Sequence, residues 1–314
     1  MDIEKAKYPA RFEDFLEWFG TERDCMEYIA KLRWENGYQC PKCSSAKAWV
    51  TEKGLMHCSG CGHQTSITAG TVFQGTRKSL KLWFHVMWWV VSQKTGCSAL
   101  NLKNAKDFES YETAWTWLQK LRRVMIRPNR EMLSGRIEVD ETYLGTEESG
   151  VHGRETDSKV LIVVAVEEND NRMGRVRFRC VKDASSGELI PFIQDNIDKN
   201  STIVTDGWSG YNSLESKGYN HVVYNISKSE LSASELLPNV HLVISLVKRW
   251  LLGTHQGAVS EKHLQYYLDE FSFRFNRRLS TNRGLLFYRL MQLAVTQKAC
   301  TMDEITGKDD YSDF

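Results

Sequence analysis

The sequence has few prolines and no long apolar segment. Only five of its 314 residues are proline, and its most apolar stretch, residues 82–91, includes His85. A helix that spans a membrane needs roughly 18 or more consecutive apolar residues. The first residues also lack the order of basic and then apolar side chains that marks a secretory signal. From these absences we expect a cytoplasmic protein.

The charge balance is nearly neutral overall but uneven along the chain. The net charge is only +1 at pH 7, which alone indicates no charged partner. Residues 71–130 nevertheless contain eleven basic and three acidic side chains, a local charge of +8. Such an excess is typical of a surface that contacts nucleic-acid phosphates and releases their counterions. A solvated helix face would produce the same excess, so both interpretations stay open.

Cysteine usage separates into two kinds. Four of the eight cysteines are scattered, which excludes a disulfide framework, and four form two Cys-x-x-Cys pairs fourteen residues apart. Two such pairs close a tetrahedral shell around zinc, with a hairpin over residues 48–56 between them, and leave no open position for chemistry. Two redox pairs are the weaker alternative, because redox motifs normally come singly. The predicted ligands of a structural zinc are Cys40, Cys43, Cys58 and Cys61.

The first 130 residues otherwise predict helices. Two short amphipathic helices are expected within residues 10–34, and three more at 80–93, 98–104 and 111–125. Ser110 is a suitable N-cap for the last of these. A short helix, a tight connection and a longer basic helix indicate a helix-turn-helix, although a plain three-helix linker domain fits the same pattern. The candidate DNA-binding residues of the longer helix are Lys120, Arg122 and Arg123.

From residue 136 the pattern changes from helical to strand periodicity. Strands are expected at 137–143, 160–166, 175–181, 202–205 and 221–225, and helices at 186–197, 209–217 and 240–252. Three consecutive strands followed by alternating helices and strands predict a layered α/β sheet. Two further helices are expected at 261–277 and 284–297, followed by a polar acidic tail at 308–314.

Two aspartates mark strands of this predicted sheet. Asp140 lies in the first strand, and Asp206 follows the fourth immediately before Gly207. If these strands are neighbours, the two carboxylates meet at one edge of the sheet. Paired carboxylates recruit Mg²⁺ or Mn²⁺ for phosphodiester chemistry. A turn-forming residue and a surface group are the alternative interpretation of the pair.

Four segments together resemble the insertion-sequence transposases of the 1595 family. They are IEVDETYLG at 137–145, TDGWSGY at 205–211, KRWLLGTH at 248–255 and EFSFRFNRR at 270–278. The predicted zinc ribbon belongs to the same pattern. The resemblance implies an α/β, ribonuclease-H-like catalytic domain of the acidic-triad (DDE) superfamily, with a mixed sheet and flanking helices. A zinc ribbon and a small helix-turn-helix-like domain are expected to precede it.

The resemblance also supplies a third metal ligand. In related transposases a Glu or Asn stands seven residues before a Lys on the last core helix, and counting back from Lys248 gives His241. Two helical turns place both side chains on one side of the helix. Asn239 is expected to cap that helix, and histidine makes Mn²⁺ an acceptable partner. Glu235 is the alternative ligand, and Lys248 and Arg249 are expected to contact DNA phosphates.

These expectations define five segments and one function. The segments are N-terminal helices (1–35), a zinc ribbon (36–73), a helix-turn-helix-like segment (74–130), a catalytic domain (135–280) and a C-terminal helix with a tail (281–314). The expected function is a metal-dependent transposase that binds the terminal inverted repeats and the target as double-stranded DNA. It would act as a homodimer or higher synaptic oligomer, associated with the nucleoid when bound to DNA. An inactive or domesticated DNA-binding relative and a zinc-ribbon nuclease are the alternatives.

Overall fold

The chain forms two compact units in a computed structural model that describes residues 7–145, 159–169, 172–225, 229–257, 259–298 and 300–307. The first unit combines the chain up to Arg127 with the chain from Leu279 onward, and the second runs from Pro128 to Arg278. The predicted acidic tail lies outside the described residues. Among the helices described, none has the length and apolarity to cross a bilayer.

The first unit is helical, with a small antiparallel sheet of three strands. Four of its helices begin within one residue of the predicted position, at Leu80, Ala99, Tyr111 and Arg283, whereas the short helix Met302–Thr306 was not predicted. The side chains of Thr21, Ser79, Ser98 and Ser110 each accept an N–H bond from the residue three positions on and so cap a helix. Its helices are α1 (Phe12–Trp18), α2 (Glu22–Arg33), α3 (Leu80–Ser92), α4 (Ala99–Ala105), α5 (Tyr111–Val124), α10 (Arg283–Thr296) and α11 (Met302–Thr306), and its strands are β1 (Ala48–Val50), β2 (Leu55–Cys58) and β3 (Gln64–Ser66).

An aromatic core explains why the end of the chain belongs to the first unit. Phe287 on α10 is fully buried, and its ring centroid lies 5.3 Å from that of Phe15 and 5.7 Å from those of Phe19 and Phe84. Phe15 lies in α1, Phe19 directly follows that helix, and Phe84 lies in α3. Aromatic pairs at such separations stabilise a core by more than their buried area alone. The last long helix therefore completes a core that the first helices begin.

The second unit is a five-stranded mixed sheet with helices on both faces. The strand order is β6-β5-β4-β7-β8, in which β5 is antiparallel to both of its neighbours and β7 is parallel to both of its own. The strands are β4 (Arg136–Leu144), β5 (Val160–Asn169), β6 (Arg172–Val181), β7 (Thr202–Thr205) and β8 (Asn220–Val223), and the helices are α6 (Ser186–Asn196), α7 (Ala233–Leu236), α8 (Pro238–His255) and α9 (Glu261–Phe275).

Strand β4 positions the two aspartates. It pairs in parallel with β7, with Ile137 opposite Ile203 and Glu138 opposite Val204. The same register extended by two residues brings Asp140 level with Asp206. The expectation that these strands are neighbours is therefore confirmed.

The two faces of β4 bury different groups, because successive side chains of a strand point to opposite faces. Ile137 and Val139 are fully buried in a hydrophobic core that includes residues of α6. The core on the other face contains residues of α8 and α9. Glu138 and Asp140 lie on that second face, where both contact α8.

The predicted helix at 209–217 is wrong. The structure has two short 3₁₀ turns instead, Ser209–Tyr211 and Glu215–Lys217. The apolar residues here, Tyr211 and Leu214, are three positions apart and both fully buried. A spacing of three suits the 3₁₀ geometry better than a longer α-helix.

Candidate active site and metal centres

The zinc ribbon is built from two similar turns. In the first turn the Ser44 N–H donates to the Cys40 carbonyl at 2.8 Å, and in the second the Gly62 N–H donates to the Cys58 carbonyl at 2.9 Å. Both Ser44 and Gly62 have positive φ, which closes each turn tightly. Strands β1 and β2 form the predicted hairpin between the turns.

The four thiols fit a zinc ion. The Sγ atoms of Cys40 and Cys61 are 3.6 Å apart, as are those of Cys43 and Cys58, and all four lie within 4.8 Å of one another. Zinc–sulfur bonds of about 2.3 Å in a tetrahedron require sulfur separations of about 3.8 Å. No disulfide joins these cysteines. The donor set and its geometry are therefore those of a structural zinc site.

Asp140 and His241, two of the predicted metal ligands, lie close together. The Nε2 atom of His241 lies 3.6 Å from the Oδ2 atom of Asp140, in the first turn of α8. This Nε2 is buried and has no hydrogen-bond partner within the described structure. Two ligands of one Mg²⁺ or Mn²⁺ ion at about 2.1 Å lie roughly 3 Å apart. A buried ring nitrogen at this distance from a carboxylate oxygen suits a shared cation.

The Asp140 carboxylate is largely buried, and the positive charge of Lys248 offsets only part of the cost. Burial, followed by the negative charge of Asp206, raises the pKa of Asp140 to about 6, although its side chain accepts the Glu141 N–H. Burial lowers the pKa of His241, which favours the neutral, metal-ligating imidazole. A divalent cation would offset the cost of burying the Asp140 charge.

Asp206, the third predicted ligand, is engaged by its own turn. Its Oδ1 atom accepts the Trp208 N–H at 2.9 Å, in a turn where Gly207 has a positive φ. In the described part of the chain, the four thiols are the group of potential metal ligands whose atoms all lie within 4.8 Å of one another. The ligand atoms of Asp140, Asp206 and His241 are spread more widely. Since Asp140 and His241 are already close, Asp206 is the member that stands further out.

Two basic residues of α8 lie beside these groups. Lys248 donates from Nζ to the Thr142 hydroxyl at 3.0 Å, and Thr142 is on the same face of β4 as Asp140. Lys248 and its neighbour Arg249 are both exposed. The helix thus places the Lys248 charge beside Asp140 and presents Arg249 to solvent.

Comparison with known proteins matches two segments of the chain to family models. Residues 132–276 match the model of the ISXO2-like transposase domain, and residues 20–64 match that of the transposase zinc-ribbon domain. Both are domains of insertion-sequence transposases of the 1595 family, and together they cover more than half of the chain. The chain belongs to this transposase family.

A relative from an archaeon also belongs to a mobile element. The chain is 26% identical over 285 residues to an uncharacterized protein in transposable element ISH50 of Halobacterium salinarum. The alignment covers 82% of this chain and 92% of the relative. The similarity therefore extends across both units of the transposase.

One residue that sequence reasoning missed is Glu138. Its Oε1 atom accepts the Asn239 side-chain amide and its Oε2 atom the Val240 N–H, both at 2.8 Å. The predicted cap by Asn239 is wrong, because α8 begins at Pro238 with Leu237 at its N-cap, and Asn239 donates to the strand instead. Only the two-residue spacing between Glu138 and Asp140 could have indicated that both carboxylates face this helix.

Two other acidic residues of the transposase are engaged elsewhere. Glu235, the alternative third ligand, is exposed and accepts the Ser232 N–H and hydroxyl in the capping box of α7. Glu141 points to the opposite face of β4, where its Oε2 accepts the Tyr211 hydroxyl at 2.8 Å. Tyr211 is fully buried, which makes it a core residue rather than a surface for base stacking.

The basic candidates on α5 differ in accessibility. Arg122 is only 1% exposed, and its Nη2 atom donates to the Cys97 carbonyl, so its guanidinium does not reach a phosphate in this conformation. Arg123 donates to the Cys300 sulfur and the Glu304 carbonyl, beside the last helix. Lys120 is half-buried. Side chains on both sides of α5 therefore pack against the protein. Sequence periodicity alone does not distinguish a basic side that packs in this way from one that faces DNA.

Proposed function

We propose that this family member is the transposase of an insertion sequence, which binds its terminal inverted repeats, cuts DNA at the element's ends and joins them to a target. The observation that carries the proposal is the buried, unpartnered Nε2 of His241 facing the Asp140 carboxylate at 3.6 Å. Such an arrangement is costly without a cation and is typical of a site that functions with one.

The sheet topology supports a ribonuclease-H-like catalytic domain. The order β6-β5-β4-β7-β8 has three antiparallel strands at one side and parallel pairing from β4 onward. In a ribonuclease-H-like sheet of this order, the central strand carries the first acidic residue, and the second acidic residue stands at the end of the neighbouring parallel strand. Asp140 and Asp206 occupy these two positions.

Asp140, Asp206 and His241 would hold Mg²⁺ or Mn²⁺ in this site. When bound, such ions activate a water or a 3′-hydroxyl and stabilise the leaving oxygen. Asp206 is expected to turn from the Trp208 N–H toward the other two ligands. The Lys248 ammonium, which donates to Thr142 beside Asp140, orients the flanking phosphate, and Arg249 contacts it with its guanidinium.

The first unit is proposed to recognise the element's ends. It contains the ribbon and residues 71–127 of the basic segment, of which Arg77, Lys94 and Arg127 are exposed. Arg122 is assigned to packing, whereas Lys120 and Arg123 retain partial access. Whether α4 and α5 act as a helix-turn-helix is part of the same proposal. Joining two ends to one target requires at least two active sites, so a synaptic dimer or higher oligomer is expected.

The test uses purified protein, Mn²⁺ or Mg²⁺, and duplex DNA containing the sequences that flank the coding region. Joined products support the proposal, cuts without joining indicate a nuclease, and binding alone indicates an inactive relative. We expect Asp140→Asn and His241→Ala to lose cleavage about a thousandfold or more, because several kcal/mol of charge stabilisation disappear.

A matched control separates loss of chemistry from loss of folding. Glu235→Gln changes an exposed carboxylate three residues before α8, and it should cut at the wild-type rate. Binding of the end DNA should be unchanged in all three variants. Cleavage that survives His241→Ala but is lost in Glu235→Gln would transfer the third ligand role to Glu235.

A further inference from the structure

Glu138 is a buried carboxylate that the proposed metal site does not use. It is 3% exposed and lies two residues before Asp140, so both side chains point to the same face of β4. Both of its oxygens already accept N–H groups, from the Asn239 side chain and the Val240 backbone. Both oxygens are engaged with the start of α8 and the side chain is covered, so Glu138 is not among the proposed ligands.

The start of α8 depends on this carboxylate. The N-cap residue, Leu237, has no side-chain acceptor, and Pro238 has no N–H to satisfy. The first free backbone donors of the helix therefore need an acceptor from elsewhere. Glu138 supplies it from the strand, and a carboxylate at a helix N-terminus is also favoured by the helix dipole.

This contact fixes the helix next to the site. Val240, whose N–H binds Glu138, directly precedes His241, and two turns further on Lys248 donates to Thr142 of the same strand. Residues 138, 140 and 142 of β4 thus contact α8 in order along its length. We propose that Glu138 is a positioning residue that holds the first turn of α8 so that His241 faces Asp140. This inference rests on the function proposed above.

Substitutions that hardly change side-chain shape can exchange the donor and the acceptor of the contact between Glu138 and Asn239. Asn239→Asp alone places two carboxylates against each other, and their repulsion should displace the first turn of α8. Glu138→Gln alone should be mild, because its carbonyl still accepts the Val240 N–H and the Asn239 amide can turn to accept from the new amide. The double variant restores a donor facing an acceptor, with the roles exchanged. All of these variants are nearly isosteric, so they should fold.

Two measurements follow the contact. Hydrogen exchange of residues 237–243 reports the first turn of α8 directly, without DNA or metal. The Mn²⁺ concentration for half-maximal cleavage reports the metal site, and loss of a supporting contact typically weakens metal binding tenfold or more. Asn239→Asp should accelerate the exchange and raise the Mn²⁺ requirement at least about tenfold. The double variant should return both to within about threefold of wild type.

Glu167→Gln is the matched control. Glu167 is also a buried strand carboxylate, but it accepts from Ser134 and Arg175 rather than from α8. Its variant should leave both measurements unchanged.

The outcomes separate this inference from the proposed function. Faster exchange with an unchanged Mn²⁺ requirement, or a double variant that does not recover, would overturn the positioning role and leave the transposase proposal intact. Wild-type protein that neither binds Mn²⁺ nor cuts DNA would overturn the proposed function and this inference with it.

Discussion

The two candidate metal sites of this protein are assembled in different ways. The ribbon takes all four of its ligands from 22 consecutive residues, Cys40 to Cys61, in two turns joined by a hairpin. The proposed ligands of the second site, Asp140, Asp206 and His241, are instead spread over about a hundred residues, on β4, after the end of β7 and on α8. The ribbon therefore depends on local geometry, and the second site on the packing of α8 against the sheet.

The difference explains why the two sites are not equally complete. The four thiols lie within 4.8 Å of one another, presented by two turns of one short segment. In the second site, by contrast, Asp206 accepts a backbone N–H and the first turn of α8 needs Glu138 to hold it. A site built from distant elements needs supporting contacts, because the entropy of bringing those elements together is not offset by the ligands alone.

The largest expected effect is the loss of the ribbon when a zinc ligand is removed. Structural zinc contributes on the order of 10 kcal/mol to folding of small ribbons. We expect Cys58→Ser to lose its zinc, to expose residues 36–73 to protease and to abolish binding of end DNA. Zinc content per chain and limited proteolysis measure this. Cys300→Ser, outside the ribbon, should keep full zinc, and a Cys58→Ser protein with wild-type zinc content would remove the ribbon assignment.

A second prediction concerns where the second unit begins. Leu133 is fully buried, its N–H donates to the Asn196 carbonyl, and its own carbonyl accepts the Asp198 N–H, both at 2.8 Å. A fragment of residues 128–278 should therefore fold without zinc. A fragment of residues 136–278 should be less stable by about 3 kcal/mol or more, since it loses a buried leucine and its pairing.

Urea unfolding of the two fragments with and without a chelator provides the measurement. Equal urea midpoints for the two fragments would show that the segment before β4 adds no stability to the second unit. A midpoint that falls when the chelator is added would contradict the independence of the second unit from zinc.

The smallest effect is a pH dependence of the second unit. Burial raises the pKa of Asp269 on α9 to about 6, above the ordinary value of 3.8. The folded state thus holds this proton more tightly than the unfolded state. Ionisation therefore costs stability progressively between about pH 4 and 6, and the full cost is present at higher pH. We expect Asp269→Asn to stabilise the unit by about 1–3 kcal/mol at pH 8 and hardly at pH 4.

Thermal unfolding at several pH values tests this prediction. Asp195 is an exposed carboxylate that pairs with Arg179, so Asp195→Asn should change stability by less than about 0.5 kcal/mol. The same stabilisation by Asp269→Asn at pH 4 and pH 8 would show that burial of the charge is not its cause.

Much of the architecture could be predicted from local patterns. The caps at Thr21, Ser79, Ser98 and Ser110 identify where helices begin, because each satisfies donors within its own first turn. The strand predicted at residues 137–143 is β4, which the structure extends by one residue at each end. The helix at 209–217 was wrong because a spacing of three residues near the core fits more than one kind of turn.

The DNA-facing residues were harder to predict. A basic helix that packs on both sides has the same sequence pattern as one with an open side. The Cys97 carbonyl that accepts from Arg122 and the segment around Cys300 that contacts Arg123 are distant in sequence or belong to another element. No periodicity within α5 reports these partners.

The sequence alone determined the zinc ribbon, since the ligands, their spacing and the turns that present them all lie in one short segment. It also determined the α/β pattern and, through resemblance to the family, the choice of Asp140, Asp206 and His241. Tertiary structure alone decided that α8 approaches β4 closely enough for His241 to face Asp140, and that Glu138 caps this helix from a hundred residues away. Contacts between distant segments depend on how whole faces pack together, and no local spacing encodes that distance.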